Sequence, residues 1–437
     1  MRRSSITTLE KIGYASGNLG KNLVFASLDY FLLFFLTEVW GLAPAQAGLV
    51  VLIALVWDGV ADPIVGVFLD RVSTPFGRFR PYLLIGAPIA AITFALVFIK
   101  PEIGGPSLAT WAIVSTLAFR TAYTICDVPH NALLARVAPD ATSAAFVSGA
   151  RFVFSSIGSL MIGVAAMHIL ATPDVAIRAH RFLEYASFAA AIFVVTLWIA
   201  WASTRSVDRG ADSMGPRQSI AASLMLSVRN RALRWLLLTA FLQAAAIPVF
   251  AKSLAYYGAF GLNDPKWSGM AIVAMTLAQA ASAPLWIAVS QRSSASLALV
   301  ASLATAALGA GLFFLAHGEA VGRIFALIVF GAAVGGLNIA IWALLPAVIA
   351  WGEANQGLRA EGLPSGLFLL SLKAGSGIGA AILGVVLQQT GALKSSASSS
   401  GFEIALIMGA IPVVGALACI ATTSKLARTL HPPTRSQ

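Results

Sequence analysis

Residues 44–69 read PAQAGLVVLIALVWDGVADPIVGVFL, an apolar stretch that is interrupted by the carboxylates of Asp58 and Asp62. About twenty apolar residues in a row are enough to cross the hydrocarbon core of a bilayer as an α-helix. Similar stretches recur along the chain, which has a mean hydropathy of +0.83 and only 11% charged residues. Soluble globular domains contain about 25% charged residues. The sequence therefore predicts an all-α polytopic membrane protein.

The apolar stretches and the polar residues between them predict about twelve transmembrane helices in two halves. Barrel strands would be shorter and would alternate in polarity, which argues against a β-barrel. The predicted spans are residues 9–39, 44–69, 82–100, 107–132, 144–170, 182–203, 233–260, 268–290, 296–316, 321–348, 365–390 and 400–424. The longest polar segment predicts a division into a six-helix bundle (1–203), a cytoplasmic linker (204–232), a second six-helix bundle (233–424) and a cytoplasmic tail (425–437). Two bundles joined in this way are common in secondary transporters.

The net charge of +11 reflects topology rather than a nucleic-acid partner, because the basic residues form no single run. They concentrate on alternate loops in a ratio of roughly three to one. The positive-inside rule then places both termini in the cytoplasm of a bacterial inner membrane protein. The first residues lack a cleavage pattern, so we expect no signal peptide. Cys126 and Cys419 have no metal-ligand spacing.

A short set of charged residues lies inside the predicted spans, where such groups are costly and usually functional. The set is Lys21, Asp29, Asp58, Asp62, Arg120, Asp127, Arg151, Lys252 and Lys373. Asp58 and Asp62 are four residues apart, so they share a helix face, and two like charges this close cannot easily both ionise. A bound cation, a shared proton or a buried Arg or Lys would relieve the repulsion.

Asp127 and Arg151 carry the groups that suit a polyhydroxylated ligand, since a carboxylate accepts and a guanidinium donates several hydrogen bonds. A purely structural pair of Asp127 with Arg151 or with Arg120 is the alternative. Asn22 and Asp29 share one face of the first helix, two turns apart.

Three other polar residues in the spans are harder to assign. Lys252 is interpreted as snorkelling toward an interface. His130 is interpreted as a polar cavity or helix-end residue rather than a proton relay. Lys373, early in the eleventh span, is placed to bridge the two halves.

Several local strings together resemble the glycoside–pentoside–hexuronide:cation symporters, the branch of the major facilitator superfamily that includes the melibiose permeases. The strings are Gly20-Lys21, Trp57-Asp58, Asp62-Pro63-Ile64, Gly77-Arg78-Phe79-Arg80-Pro81, Tyr123-Thr124 with Asp127 and Pro129, Arg151-Phe152 and Lys373-Ala374-Gly375-Ser376. The resemblance covers nearly the whole chain and is stronger in the N-terminal half. Asp70-Arg71 and Gly77-Arg78, with Arg80, also resemble the superfamily's conformational loop between the second and third helices.

The resemblance implies the twelve-helix major facilitator fold, alternating access and cation-coupled uptake of a sugar or sugar derivative. It implies a cation site at positions Asp58, Asp62 and Thr124. It implies a sugar site at Lys21, Tyr123, Asp127 and Arg151, with Asn22, Asp29 and Asn131 as further candidates. A lysine at the position of Lys373 approaches both sites in the family.

Three departures from the family pattern bear on the ion and the substrate. Ala61 stands where the sodium-using permeases have an asparagine, so one oxygen ligand is missing, and we favour a proton over sodium or lithium. Asn22 replaces an aspartate that accepts sugar hydrogen bonds, and Asp29, two turns along the same face, is the candidate that compensates for this loss. Asn131 replaces an aromatic residue that stacks on the sugar, which argues against a simple galactoside preference.

The sequence therefore predicts a proton-coupled symporter of a small polyhydroxylated substrate that acts as a monomer in the lipid bilayer, without a cofactor or resident metal. A transported monovalent cation at Asp58 and Asp62 is the one ion expected. The alternatives are a carrier of a lipid-like or amphipathic substrate and a membrane receptor or sensor that does not translocate. An enzyme is disfavoured because no metal cluster or nucleophile–base arrangement is evident.

Overall fold

The computed structural model describes residues 6–71, 77–102, 106–138, 141–208, 229–356, 362–390 and 397–430. These residues form twelve long α-helices, and no β-strand occurs among them. The helices are α1 (Thr8–Glu38), α2 (Pro44–Arg71), α3 (Arg80–Val97), α4 (Pro106–Val137), α5 (Ala141–Ile169), α6 (Val175–Ser203), α7 (Arg231–Tyr256), α8 (Pro265–Arg292), α9 (Ala295–Leu315), α10 (Ala320–Gln356), α11 (Gly362–Thr390) and α12 (Ala397–Leu430). A π-helical turn, Tyr257–Gly261, follows α7.

The predicted all-α membrane architecture is confirmed. Within the described residues, eleven helices have the length and hydropathy to cross a membrane. The exception is α4, which carries Arg120, Asp127 and His130. The least apolar of the long helices, α4, thus carries several of the ionisable side chains.

Helix ends differ from the predicted spans where charged residues are helical. α6 begins at Val175 rather than near residue 182, because the Asp174 side chain caps it by accepting a hydrogen bond from the Ile177 amide at 2.9 Å. α10 continues to Gln356 and α12 to Leu430. The predicted linker lies mostly outside the described residues, as does the end of the predicted tail from residue 431.

The helices cluster into two compact units, Met1–Ser213 and Met214–Gln437. In the first unit, α1 packs on α5 and α6, α2 packs on α4, and α3 packs on α4 and α6. Its core is rich in buried aromatic rings, which include Phe31, Phe35, Phe94, Phe98 and Phe182.

The second unit repeats this order of packing. α7 packs on α11 and α12, α8 packs on α10, and α9 packs on α10 and α12. In each unit, therefore, the first helix contacts the fifth and sixth, the second contacts the fourth, and the third contacts the fourth and sixth. The structure thus reveals an internal repeat that the sequence does not show by inspection.

Large apolar side chains cover the outer surface of both units. Ile85 and Ile92 of α3 are each 63% exposed, and Val414 and Leu417 of α12 are 66% and 60% exposed. Such patches are unusual on soluble monomers and are expected where lipid replaces water.

Candidate functional site

The structure brings Asp58 and Asp62 of α2 together with Thr124 of α4. The Thr124 Oγ1 atom lies 3.0 Å from Asp58 Oδ1 and 3.1 Å from Asp62 Oδ1. Asp58 is fully buried and Asp62 is half-buried. The three residues that the family resemblance assigns to a cation site are thus neighbours in space.

A fourth residue, Arg120, enters this cluster from one turn earlier on α4. Its Nη1 atom lies 3.4 Å from Asp58 Oδ2, and its guanidinium lies 4.5 Å from the centre of the Phe25 ring. Arg120 is only 1% exposed, and its Nε atom has no hydrogen-bond partner among the described residues. A buried charge needs a partner of opposite sign, and the pair with Asp58 supplies one. The sequence left the role of Arg120 open.

Lys21 of α1 is the centre of a second cluster. Its ammonium forms an ion pair with Asp127 of α4 and lies 3.2 Å from His130 Nδ1 and 3.1 Å from Asn131 Oδ1. Lys21 is 6% exposed, so the ammonium is largely removed from water. This pairing differs from the structural alternatives, in which Asp127 would pair with Arg151 or Arg120.

Arg151 of α5 extends the second cluster through its planar fork of donors. Its Nη2 donates to Asn131 Oδ1 at 2.7 Å, and its Nε donates to Asn18 Oδ1 at 2.9 Å. Asn131 Nδ2 in turn donates to Asp127 Oδ2 at 3.0 Å. Tyr123 completes the set, since its hydroxyl lies 3.4 Å from Asp127 Oδ1. Residues of three helices are thus joined in one polar network.

The other predicted substrate residues lie at different places. Asn22 accepts a hydrogen bond from the Ser159 hydroxyl at 3.1 Å, so its contact is with α5. Asp29 is half-buried two turns further along α1. Lys373 is half-buried on α11 and belongs to the second unit. Roles for Asp29 and Lys373 in the substrate site stay predictions.

Lys252 differs from its interpretation as a snorkelling residue. It is only 3% exposed on α7, so its ammonium is enclosed by protein rather than extended to an interface.

Sequence reasoning missed Asn18 as a member of the polar network, although a signal for it exists. Tyr14, Asn18, Lys21 and Asn22 follow one another at helical spacing, which puts them on one face of α1. This face meets His130 and Arg151. A polar stripe on an otherwise apolar helix is therefore the feature that predicts Asn18.

Gly77 and Arg80 of the predicted conformational loop lie against the end of α6 and the residues that follow it. The Asp208 carboxylate accepts hydrogen bonds from the amides of Phe79 and Arg80, both at 2.9 Å, and from Arg136 Nη1 at 2.8 Å. Gly77 lies against Asp208 with a φ of 114°, a conformation that favours glycine.

The two arginines of this loop contact aromatic rings. The Arg80 guanidinium lies 4.8 Å from the Trp201 ring, with its Nε donating to the Trp201 carbonyl oxygen at 2.9 Å. The Arg78 guanidinium lies 5.4 Å from the Phe79 ring. The side chains of Asp70 and Arg71 lie outside the described part of the chain.

Twelve long helices with buried, hydrogen-bonded carboxylates are typical of an integral membrane transporter, and the relatives of this chain are transporters rather than enzymes. The chain matches the family described as MFS/sugar transport protein over residues 13–429. It belongs to the glycoside–pentoside–hexuronide:cation symporter family of the major facilitator superfamily, as the resemblance predicted.

Relatives across nearly the whole chain carry corresponding names. The chain is 27% identical over 405 residues to the putative glycoside/cation symporter YagG of Escherichia coli, covering 91% of this chain and 85% of YagG. It is 24% identical over 432 residues to the isoprimeverose transporter of Lactiplantibacillus pentosus, covering 95% and 88%. Among solved structures, the nucleoside transporter NupG aligns with a TM-score of 0.67 at 15% identity, covering 95% of this chain and 99% of NupG.

Proposed function

We propose that the protein is a proton-coupled symporter that imports a sugar, glycoside or sugar derivative by alternating access. The family and the names of YagG and the isoprimeverose transporter support cation coupling and a sugar-type substrate. The distribution of basic residues supports an inner-membrane protein with both termini in the cytoplasm. The choice of proton depends on the geometry around Thr124.

The main support for the proton is that a single hydroxyl group, that of Thr124, contacts two carboxyl groups. Thr124 Oγ1 lies within hydrogen-bond distance of both Asp58 and Asp62. A threonine hydroxyl donates only one hydrogen bond, whereas an ionised carboxylate only accepts. Both contacts are therefore satisfied when one of the two carboxyl groups is protonated and donates to Thr124.

Arg120 indicates which carboxyl group carries the proton. Its guanidinium pairs with Asp58 in a fully buried position, so Asp58 already has a resident counter-ion. Asp62 is the more accessible of the two and is then the group that gains and loses a proton. Protonation of Asp62 would leave one buried carboxylate and one buried guanidinium, a pair without net charge. Without that proton, the substrate-loaded carrier would hold an uncompensated buried charge, which would disfavour its reorientation.

The Lys21 network supports a polyhydroxylated substrate. Asp127 supplies acceptor oxygens, Lys21 and Arg151 supply donors, and Asn131 supplies both. Asn131 is exposed, and Asp127 and Arg151 are half-buried, so a ligand has access to them. Hydroxyl groups, which both donate and accept, would replace the internal hydrogen bonds of this network.

The test is uptake by reconstituted vesicles from a panel of labelled pentosides, glycosides and uronides, with proton and sodium gradients imposed separately. We expect a proton gradient alone to drive accumulation. Asp58→Asn and Asp62→Asn should each abolish accumulation, and Asp62→Asn should retain exchange of substrate because the amide resembles the protonated acid. Asp174→Asn, at the exposed cap of α6, is the matched control. Strict sodium dependence without a response to pH would overturn the proton assignment, and accumulation by both variants would overturn symport.

A further inference from the structure

A cavity of about 550 Å³ lies in the second unit, where α7 begins and α10 and α12 end. Ligand pockets are commonly about 300–1,000 Å³ in volume. The cavity is lined by Arg231, Trp235, Trp351, Asn355, Lys425, Arg428 and Thr429. None of these residues belongs to the proposed ion and substrate sites.

The lining is strongly cationic and lacks an acidic side chain. It combines three cations with an amide and a hydroxyl that also donate hydrogen bonds. None of the three cations pairs with a carboxylate among the described residues, and the Lys425 ammonium lies 4.8 Å from the centre of the Trp235 ring. Glu353 is the nearest acid in sequence, but its spacing from Trp351 and Asn355 places it on another face of α10.

This chemistry differs from that of the Lys21 network in the first unit. A sugar needs hydrogen-bond acceptors as well as donors, and in the Lys21 network the Asp127 carboxylate provides the acceptors. The cavity in the second unit instead offers several donors and positive charges, which suit an anion with several oxygens, such as a phosphate group. The first turn of α7 adds the positive end of its helix dipole.

The surroundings favour a lipid as the source of that phosphate. The cavity lies at the ends of predicted spans, where tryptophans typically occupy the membrane interface. Leu238 follows Trp235 by about one turn of α7 toward the bilayer and is 41% exposed, so an apolar surface begins beside the cationic lining. Basic pockets between helices on the cytoplasmic side commonly hold the head groups of anionic lipids.

We propose that this cavity is a binding site for the phosphate head group of an anionic phospholipid. Arg231, Lys425 and Arg428 would contact the phosphate oxygens, and Trp235 and Trp351 would pack beside the glycerol region. The site would hold the ends of α7, α10 and α12 together from the predicted cytoplasmic surface.

The test uses the full chain in phosphatidylcholine nanodiscs with increasing phosphatidylglycerol or cardiolipin. Bound lipid is counted by native mass spectrometry, and thermal unfolding is followed in parallel. Lys425→Gln and Arg428→Gln should each weaken retention of anionic lipid about fivefold, and the double variant should weaken it by more. Arg234→Gln is the matched control, because Arg234 is exposed on α7 but does not line the cavity.

Unchanged lipid retention in the double variant would overturn the proposal, provided that its melting temperature in pure phosphatidylcholine equals that of the native chain. If the double variant does not fold, Arg231→Gln supplies the same comparison from α7. A second arm adds glycerol 3-phosphate or inorganic phosphate to detergent-solubilised protein. Stabilisation by these soluble anions to the same extent as by lipid would overturn the lipid assignment in favour of a soluble phosphate.

Discussion

His130 and Tyr14 hold each other by reciprocal contacts. Their rings stack with centroids 4.6 Å apart, the Tyr14 hydroxyl donates to the His130 carbonyl oxygen at 2.8 Å, and His130 Nε2 lies 3.1 Å from the Tyr14 carbonyl oxygen. A carbonyl oxygen only accepts, so we assign the hydrogen to Nε2. Nδ1 is then free to accept from the Lys21 ammonium at 3.2 Å. A proton on Nδ1 would set two cations against each other, so His130 acts as a neutral acceptor that positions Lys21.

Gly17→Ala tests this positioning role. A Cβ atom at Gly17 would lie 2.6 Å from His130 Nε2, so the imidazole would have to move away from Tyr14 and Lys21. We expect a stability loss of about 1–3 kcal/mol from overpacking, together with weaker substrate binding. Gly149→Ala is the control, since no atom lies within 4 Å of its Cβ position. Melting temperature and substrate affinity are measured for both variants, and equal behaviour would contradict the role of His130.

Arg120→Gln tests whether the guanidinium serves as a resident counter-ion. Removing one partner of a buried ion pair typically costs about 3–5 kcal/mol, because the remaining charge is uncompensated. Asp58 should then recruit a cation from solution, and a sodium gradient should stimulate uptake at constant pH. Arg120→Lys keeps the positive charge and should not gain this response. The sodium response is measured as substrate uptake by vesicles, with proton and sodium gradients imposed separately. The prediction is contradicted if Arg120→Gln accumulates substrate with a proton gradient alone, as the native chain is expected to do.

Arg151→Lys keeps a positive charge but loses the planar fork. A lysine cannot reproduce the two directed hydrogen bonds to Asn18 and Asn131. Since a hydrogen bond to a charged group contributes about 1.5–3 kcal/mol, substrate affinity should fall at least tenfold. Arg178→Lys, at the first turn of α6, is the control. Substrate binding is measured by calorimetry on purified protein. If Arg151→Lys binds substrate as tightly as the native chain, the planar guanidinium of Arg151 makes no contribution to affinity.

Asp208→Ala should weaken the connection of α3 and α4 to the end of α6. The substitution removes the acceptor of two buried backbone amides and of Arg136. Each unsatisfied buried donor costs about 1–3 kcal/mol. Asp174→Ala, which removes a single exposed cap, should cost only about 1 kcal/mol. Thermal unfolding distinguishes the two, and an equal shift in both would indicate that Asp208 is an ordinary helix-end residue.

The sequence predicted the helices well because the bilayer imposes a simple rule on length and hydropathy. It misplaced the start of α6, since Arg178 and Arg181 resemble loop residues until the Asp174 cap is seen. The spacing of Asp58 and Asp62 put them on one face, but it did not reveal their counter-ion. The contact with Arg120 depends on how far α4 is displaced along α2, and hydropathy carries no information about that register.

The same limit applies to the polar network. The charges of Lys21, Asp127 and Arg151 and the family resemblance indicate a polar site, but they do not determine which groups pair. The pairing of Lys21 with Asp127 follows from burial, because a buried ammonium needs a carboxylate partner. Asn18 carries no charge, so the charge pattern does not indicate it, although it shares a helix face with Lys21.

The repeated packing order has a consequence for how the two halves of the chain tolerate change. α4 and α10 occupy equivalent places in their units, yet α4 carries Arg120 and Asp127, whereas α10 has no charged residue between Arg323 and Glu353. α10 instead approaches α8 through glycines, and a Cβ at Gly331 would lie 2.7 Å from Met275 Cα. The fourth helix of each unit thus has a different role: α4 contributes buried charged groups in the first unit, and α10 contributes close helix packing in the second. Mutational scanning should therefore find α4 sensitive to altered charge and α10 sensitive to added volume.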